Sequence, residues 1–241
     1  MQWLSPPALY ALPPGSLQIW RTRLNVSSDS LVRYSELLSR EELARAGRFA
    51  FTRHHDRFIV SRATLRLLLG RYLQTPSDSV RIEEGPQGKP FVAESELAFE
   101  LKFNLSHSQE LAVFAFTRQK EVGIDVEKVR SDFASREIAQ RYFSPQEIAN
   151  LDALAPQLYM AGFFQCWTRK EAYIKARGQG LHIPLDSFSV SFAPGYPPAL
   201  IARDSVRWSM YSFEPFPEFV AAVVAEKFDW ALSFYEGSDL L

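Results

Sequence analysis

The chain has 241 residues, 46% of them hydrophobic and 14% aromatic, with 27 Lys and Arg against 28 Asp and Glu for a formal net charge of -1. At about 150 residues per domain this length allows one large domain or two small ones, and the hydrophobic content excludes a disordered chain. The near-neutral balance disfavours nucleic acid as the main partner, the single Cys166 permits no internal disulfide, and the longest apolar run, Phe219 to Ala225, is far short of the ~20 residues of a membrane helix.

At the start of the chain, Met1 to Pro7 lack the basic and apolar pattern of a secretion signal, so a cytoplasmic protein is expected. Leu17 to Leu24 alternates partially and reads as a strand. Ser39 followed three residues later by Glu42 forms a capping box, which starts a helix near Arg40. Between His55 and Leu73, the residues Phe58, Leu65, Leu69 and Tyr72 share about a third of a helical wheel, predicting a helix with one apolar face. The stretch 45 to 71 carries Arg45, Arg48, Arg53, Arg57, Arg62, Arg66 and Arg71 against Asp56. Arginine pairs bidentately with phosphate, so this segment could hold a small molecule bearing several phosphates without making the whole protein basic. Arg62 falls about 40° from Phe58, close to the apolar face, where an unpaired guanidinium is costly and an anionic partner is expected. The other arginines, Arg66 and Arg71 above all, read as charges that solvate the helix.

Gly85 to Pro90 is a turn-rich loop, and Pro90 stands where a Walker motif needs Ser or Thr. Strands follow at Leu101 to Ser106 and Leu111 to Thr117. Asn104-Leu105-Ser106-His107-Ser108 closes the first of them, and a polar hairpin turn explains the cluster; protonated, His107 would also offer two donors to a phosphate. If Gly123 to Glu127 is a strand, Asp125 and Glu127 share one face and Ile124 and Val126 the other. Adjacent carboxylates call for a cation, a shared proton or full exposure. A hard divalent ion such as Mg²⁺ suits oxygen donors, and a solvated strand edge is the alternative.

Ser144-Pro145-Gln146-Glu147 combines an N-cap, a first-turn proline and a capping-box glutamate, so a helix starts there. A further helix runs from Phe163 to Ala176 and stops at Gly178-Gln179-Gly180. On it Phe163, Trp167 and Ile174 make an apolar stripe flanked by Glu171 and Lys175, one turn apart. Alone these two are an ordinary surface pair; beside a second acidic pair, Glu171 could serve as a third oxygen ligand or a base, with Lys175 neutralising phosphate. Strands are expected at Ser187 to Phe192, Trp208 to Phe213 and Phe219 to Ala225. The order suggests two similar α+β units joined near residues 118 to 122.

In sequence order, Gly88-Lys89-Pro90, Asn104 to Ser108, Gly123-Ile124-Asp125-Val126-Glu127 and Trp167-Thr168-Arg169-Lys170-Glu171-Ala172-Tyr173-Ile174-Lys175, with Gly178 to Pro184 and Asp186 to Phe188, resemble the motif series of the 4'-phosphopantetheinyl transferases of the Sfp type. The resemblance runs from about Arg48 to Val190 and extends to the cyanobacterial branch in the Arg57 to Leu69 helix. It implies a pseudo-dimeric α+β fold with antiparallel sheets, an N-terminal half over 1–119, a C-terminal half over 120–241, and the active site between them. It also implies an Mg²⁺-dependent monomer that moves the phosphopantetheine arm of coenzyme A to a serine of an apo carrier protein of fatty-acid, polyketide or peptide synthesis, releasing adenosine 3',5'-bisphosphate. By motif position Asp125, Glu127 and Glu171 would face the metal, with Glu171 also the base for the serine proton. Lys175 and Lys170 would contact the pyrophosphate. Lys89 and Pro90 would border the adenine, and Arg57, Arg62, Ser106 and His107 the phosphates. Arg130, Arg136 and Arg141, between Val129 and Leu158, could attract an acidic carrier. Two other classes remain open: a module that binds coenzyme A or a carrier without reacting, and a metal-dependent phosphohydrolase, against which the absence of a basic surplus counts.

Overall fold

The computed structural model describes residues 1–93, 101–179, 182–193, 197–238 and 240–241. Strand β1 (Ser16–Arg23) opens the chain, and three helices follow: α1 (Ser28–Ser35), α2 (Arg40–Ala46) and α3 (Thr52–Leu73). The predicted capping box is present at α2, where the Ser39 hydroxyl accepts from Glu42 N and the Glu42 carboxylate accepts from Ser39 N. Helix α3 begins three residues before the predicted His55. A short hairpin, β2 (Ile82–Glu84) and β3 (Pro90–Val92), flanks the Gly and Pro loop. It leads to β4 (Leu101–Ser108) and β5 (Leu111–Arg118), so β4 continues through the polar cluster that read as its end.

The second half repeats the plan with β6 (Val122–Lys128), α4 (Arg136–Tyr142), α5 (Pro145–Asp152) and α6 (Tyr159–Arg177). The signature at Ser144 to Glu147 caps α5 as expected. Helix α6 starts four residues before Phe163 and ends at Gly178, whose φ of +65° favours glycine; Gly180 of the predicted stop lies outside the described residues. The two-residue strand β7 (Ser189–Val190) stands where a six-residue strand was expected, and it pairs with a second short strand, β8 (Leu200–Ile201). The long strands β9 (Trp208–Phe213), β10 (Phe219–Glu226) and β11 (Ala231–Glu236) complete the chain.

Alternation in the strands sorts these elements into four layers. The first sheet has the order β11-β1-β5-β4 and the second β6-β10-β9. Leu17, Ile19, Val113 and Ala115 of the first meet Ile124, Val126, Ala221 and Val223 of the second in a shared core. On the outer face of the first sheet, Trp20, Phe114 and Phe116 pack against Val60, Leu65 and Leu69 of α3. On that of the second, Ala222 and Val224 pack against Phe163, Ala172 and Ile174 of α6. The fold is α+β, and among the described residues the strands pair antiparallel except where β11 runs parallel to β1, with a further parallel bridge from Tyr235 to Leu4. The predicted boundary at 119/120 falls in the turn between β5 and β6, while β11 crosses back into the sheet of the first half.

Arg66 and Arg71 depart from expectation. Arg66 is only 4% exposed: Nε donates to Glu42 Oε2 at 2.7 Å, and Nη1 to the carbonyl oxygens of Ser77 and Val80 at 3.0 Å. Arg71 donates to the Tyr10 hydroxyl and to Leu240 O. Partners on other elements, invisible to a helical wheel, draw both inward.

Candidate active site

The edge strands β4 and β6 belong to different sheets, and alternate side chains of β4 join them. Asn104 Oδ1 accepts from Ile124 N at 2.9 Å, Ser106 Oγ donates to Asp125 Oδ1 at 2.8 Å, and Ser108 Oγ donates to Glu127 Oε2 at 2.7 Å while accepting from Lys128 N. The polar cluster therefore binds one half to the other. On the same face of β6 as Asp125 and Glu127, Gly123 lies against the backbone of α6 at Ala172, Lys175 and Ala176. The missing side chain lets the helix rest on the strand, which brings Glu171 and Lys175 over the carboxylates.

The result is a cavity of about 570 Å³ between the halves. The first half contributes Phe58, Ser61 and Arg62 of α3, with Gly88, Pro90, Leu105, Ser106 and His107; the second contributes Asp125, Glu127, Trp167, Glu171 and Lys175. Lys175 Nζ donates to Asp125 Oδ1 at 2.6 Å and to Ser106 Oγ at 3.0 Å. Asp125 is 3% exposed, and its Oδ2 is buried with no hydrogen-bond partner. Burial first, and then the charge of Asp125, push Glu127 and Glu171 each up to about 7. Burial and the neighbouring Lys175 hold His107 below the usual imidazole range, although the cavity mouth leaves its ring open to solvent.

These acids share a water-poor wall with one lysine, so they lack positive charge. No three His, Cys, Asp or Glu side chains close on a single point to form a metal cluster among the described residues. The donor chemistry nevertheless fits a hard divalent cation: all three groups are carboxylates, and the unpartnered Asp125 Oδ2 is an acceptor without a donor.

Of the site residues expected from the sequence, Asp125, Glu127, Glu171, Lys175, Ser106, His107, Arg62 and Pro90 line this one cavity. Arg62 also has its anticipated anion, Glu42 of α2. Three others are not on its wall. Lys89 turns away to Glu121 Oε2 at 2.9 Å and Val122 O at 3.0 Å. Arg57 reaches Gln109 Oε1 at 3.4 Å, with its buried Nε unpartnered. Lys170 requires correction: it is fully buried, and its ammonium donates to both carboxylate oxygens of Glu147 at 2.8 and 2.6 Å and to Phe188 O at 2.7 Å. All three of its protons are engaged inside the protein, so none is left for a pyrophosphate. Sequence reasoning assigned no role to Gly123 or Ser108 and read Trp167 as part of an apolar stripe. The close approach of Gly123 to α6 had no local signal; the placement of Trp167 did, since it stands four residues before Glu171 on one helical face.

A second cavity of about 800 Å³ adjoins the first across Arg45, Arg62 and Glu84, and Arg48 and Arg66 line it. Glu42 holds Arg62 and Arg66, and Arg45 pairs with Glu84. On the outer surface Arg136 pairs with Asp152 at 2.7 Å and Arg130 with Asp132 at 3.6 Å.

Two family models match adjoining parts of the chain. That of the 4'-phosphopantetheinyl transferase superfamily matches residues 121–224, and that of the 4'-phosphopantetheinyl transferase N-terminal region matches 23–119. The chain belongs to the 4'-phosphopantetheinyl transferase family. Among its relatives it is 35% identical to 4'-phosphopantetheinyl transferase HetI of Nostoc sp. over 97% of both chains. It is also 33% identical to 4'-phosphopantetheinyl transferase Sfp of Bacillus subtilis over 68% of this chain and 71% of that one. A solved ACPS-CoA complex from Chronobacterium ammoniagenes matches 45% of this chain and 97% of its own at 16% identity, with a TM-score of 0.36. No helix among the described residues is long and apolar enough to cross a membrane.

Proposed function

We propose that this chain moves the 4'-phosphopantetheine arm of coenzyme A onto a serine hydroxyl of an apo carrier protein and releases adenosine 3',5'-bisphosphate. One observation carries the reading: the acids Asp125, Glu127 and Glu171 meet Lys175, Ser106 and His107 on the wall of a single cavity between the halves. Asp125, Glu127 and Glu171 would hold Mg²⁺, which when bound would supply positive charge to the pyrophosphate in the transition state. Lys175 orients and neutralises Asp125 and, at 3.0 Å from Ser106 Oγ, lies where it can also meet a phosphate oxygen. His107 and Arg62 add donors on the wall formed by the first half, and Pro90 borders the end toward the adenine.

A serine hydroxyl is a poor nucleophile at neutral pH. Glu171, a carboxylate on the cavity wall beside Asp125, is the group assigned to the serine proton. The carrier would approach across α4, which carries Arg136 and Arg141, and the segment before it, which carries Arg130, and the chain would act as a cytoplasmic monomer.

The test is a mass measurement. Purified chain, coenzyme A and Mg²⁺ are incubated with an apo carrier protein, and the carrier should gain one phosphopantetheine unit. An unchanged mass alongside measurable coenzyme A binding would support a non-catalytic binding module instead. Asp125→Ala and Glu171→Ala should each remove the gain while leaving the protein folded.

A further inference from the structure

The ion pair between Lys170 and Glu147 has no part in the chemistry above, yet it stands directly behind the helix that carries it. Adjacent residues on an α-helix point about 100° apart, so Lys170 faces inward to α5 and β7 while Glu171 faces the cavity. Glu147 accepts four hydrogen bonds from three elements: from Ser144 N at the start of α5 at 2.8 Å, from Val190 N of β7 at 2.7 Å, and from the Lys170 ammonium of α6 on both oxygens. The same ammonium also lies 4.3 Å from the centre of the Phe188 ring. Buried ion pairs are weak sources of stability, because losing water from both charges offsets their attraction and an apolar pair of similar size often serves as well. Directionality is what such a pair provides and an apolar contact lacks.

We infer that Lys170 and Glu147 are positioning residues that fix the rotation of α6 about its axis and thereby the placement of Glu171 in the cavity; this rests on the transferase reading above. The opposite side of the helix meets β6 at Gly123, which brings no side chain to hold a particular rotation. Lys175 holds Asp125 from the end of a long, flexible side chain that follows small rotations. The directional contacts of α6 with the second sheet and its flanking segments lie away from Gly123, where Arg169 Nε donates to Ser212 Oγ at 2.8 Å and the Lys170–Glu147 pair adds the buried charges. Side-chain tips stand about 5 to 6 Å from a helix axis, so a 10° rotation carries a carboxylate about 1 Å. A misplacement of that size can reduce turnover about 100-fold.

The experiment compares wild type with the paired variant K170M/E147Q, which removes both charges together, and with E147Q alone. Each is followed by thermal unfolding, by coenzyme A affinity, by kcat and KM from the carrier's mass gain, and by hydrogen exchange across 167–175. The positioning role predicts a folded paired variant with unchanged coenzyme A affinity and KM, kcat lowered about 100-fold, and faster exchange on α6. E147Q alone leaves the Lys170 ammonium buried without a counter-charge, so it should be the less stable of the two, with kcat of its folded fraction likewise lowered at constant KM. A folded paired variant with wild-type kcat would overturn the inference, and so would a kcat loss that merely tracks the unfolded fraction. Failure of both variants to fold would make the pair a folding element alone and overturn it equally. Exchange does not depend on transfer: if wild type is inactive, the transferase reading fails by itself, and unchanged exchange across 167–175 in the variants would separately overturn the positioning role.

Discussion

Replacing Gly123 with alanine should separate α6 from the carboxylates it serves. A Cβ at this position would stand 2.7 Å from the carbonyl carbon of Lys175 and closer still to Ala176 N and Ala172 O. Non-bonded carbons are most comfortable at about 3.5 to 4.0 Å, so the helix must retreat by about 1 Å. All three obstructing atoms are backbone, and none can rotate aside. Overpacking of this kind costs about 1–3 kcal/mol. In a chain of this size each kcal/mol lowers Tm by about 2–4 °C. Glu171 and Lys175 retreat with the helix, which weakens the 2.6 Å contact between Lys175 and Asp125. Turnover should fall about 100-fold, since reacting groups tolerate little displacement. Differential scanning fluorimetry and the time course of carrier mass gain measure the two effects on one preparation. A Gly123→Ala protein with wild-type Tm and wild-type kcat would refute the claim that this glycine sets the distance between α6 and β6.

Three further outcomes are expected. Asn104→Ala leaves Ile124 N without its acceptor between the halves, and should lower unfolding free energy by about 1–3 kcal/mol in urea; no change would mean that water replaces the amide. Arg66→Ala deprives Glu42 of one of its two buried partners and should destabilise by about 3–5 kcal/mol, an effect that a merely solvating arginine would not show. In metal-free protein, Glu127 and Glu171 ionise near 7 when folded and near 4.3 when unfolded, so the folded state retains protons that the unfolded chain has released. The stability this provides is present below about pH 4 and lost as pH rises through about 7. Tm should therefore decline across that window, and added Mg²⁺ should reduce the decline; a Tm that is flat from pH 5 to 8 without metal would contradict it.

Local signals carried much of the fold. The capping boxes at Ser39 and Ser144 and the stop at Gly178 depend on residues within one helical turn, and they were readable as such. Helix α6 begins earlier than its apolar pattern because Leu158 provides no side-chain cap to mark the start. Strand β11 escaped notice because its partner, β1, is more than 200 residues away in sequence. The same division applies to the site. Alternation put Asp125 and Glu127 on one face, and helical spacing joined Glu171 to Lys175. Lys170 was assigned to the pyrophosphate by its place in a motif, although the 100° between neighbouring helical residues already separated it from Glu171. Its true partner, Glu147, is a long-range contact that no local pattern announces.

Strand β11 sets a limit on how this molecule can be rearranged. It lies beyond every element of the second half in the chain, yet it supplies the outermost strand of the first. A clone cut at residue 119 would expose the N–H and C=O groups of β1 along a bare edge, an invitation to aggregate. Chimeras that exchange one lobe with a relative must transplant residues 231–236 with the N-terminal lobe, or supply them as a separate peptide. Duplicated in plan, the two lobes are nonetheless stitched into one cooperative body by their own tail.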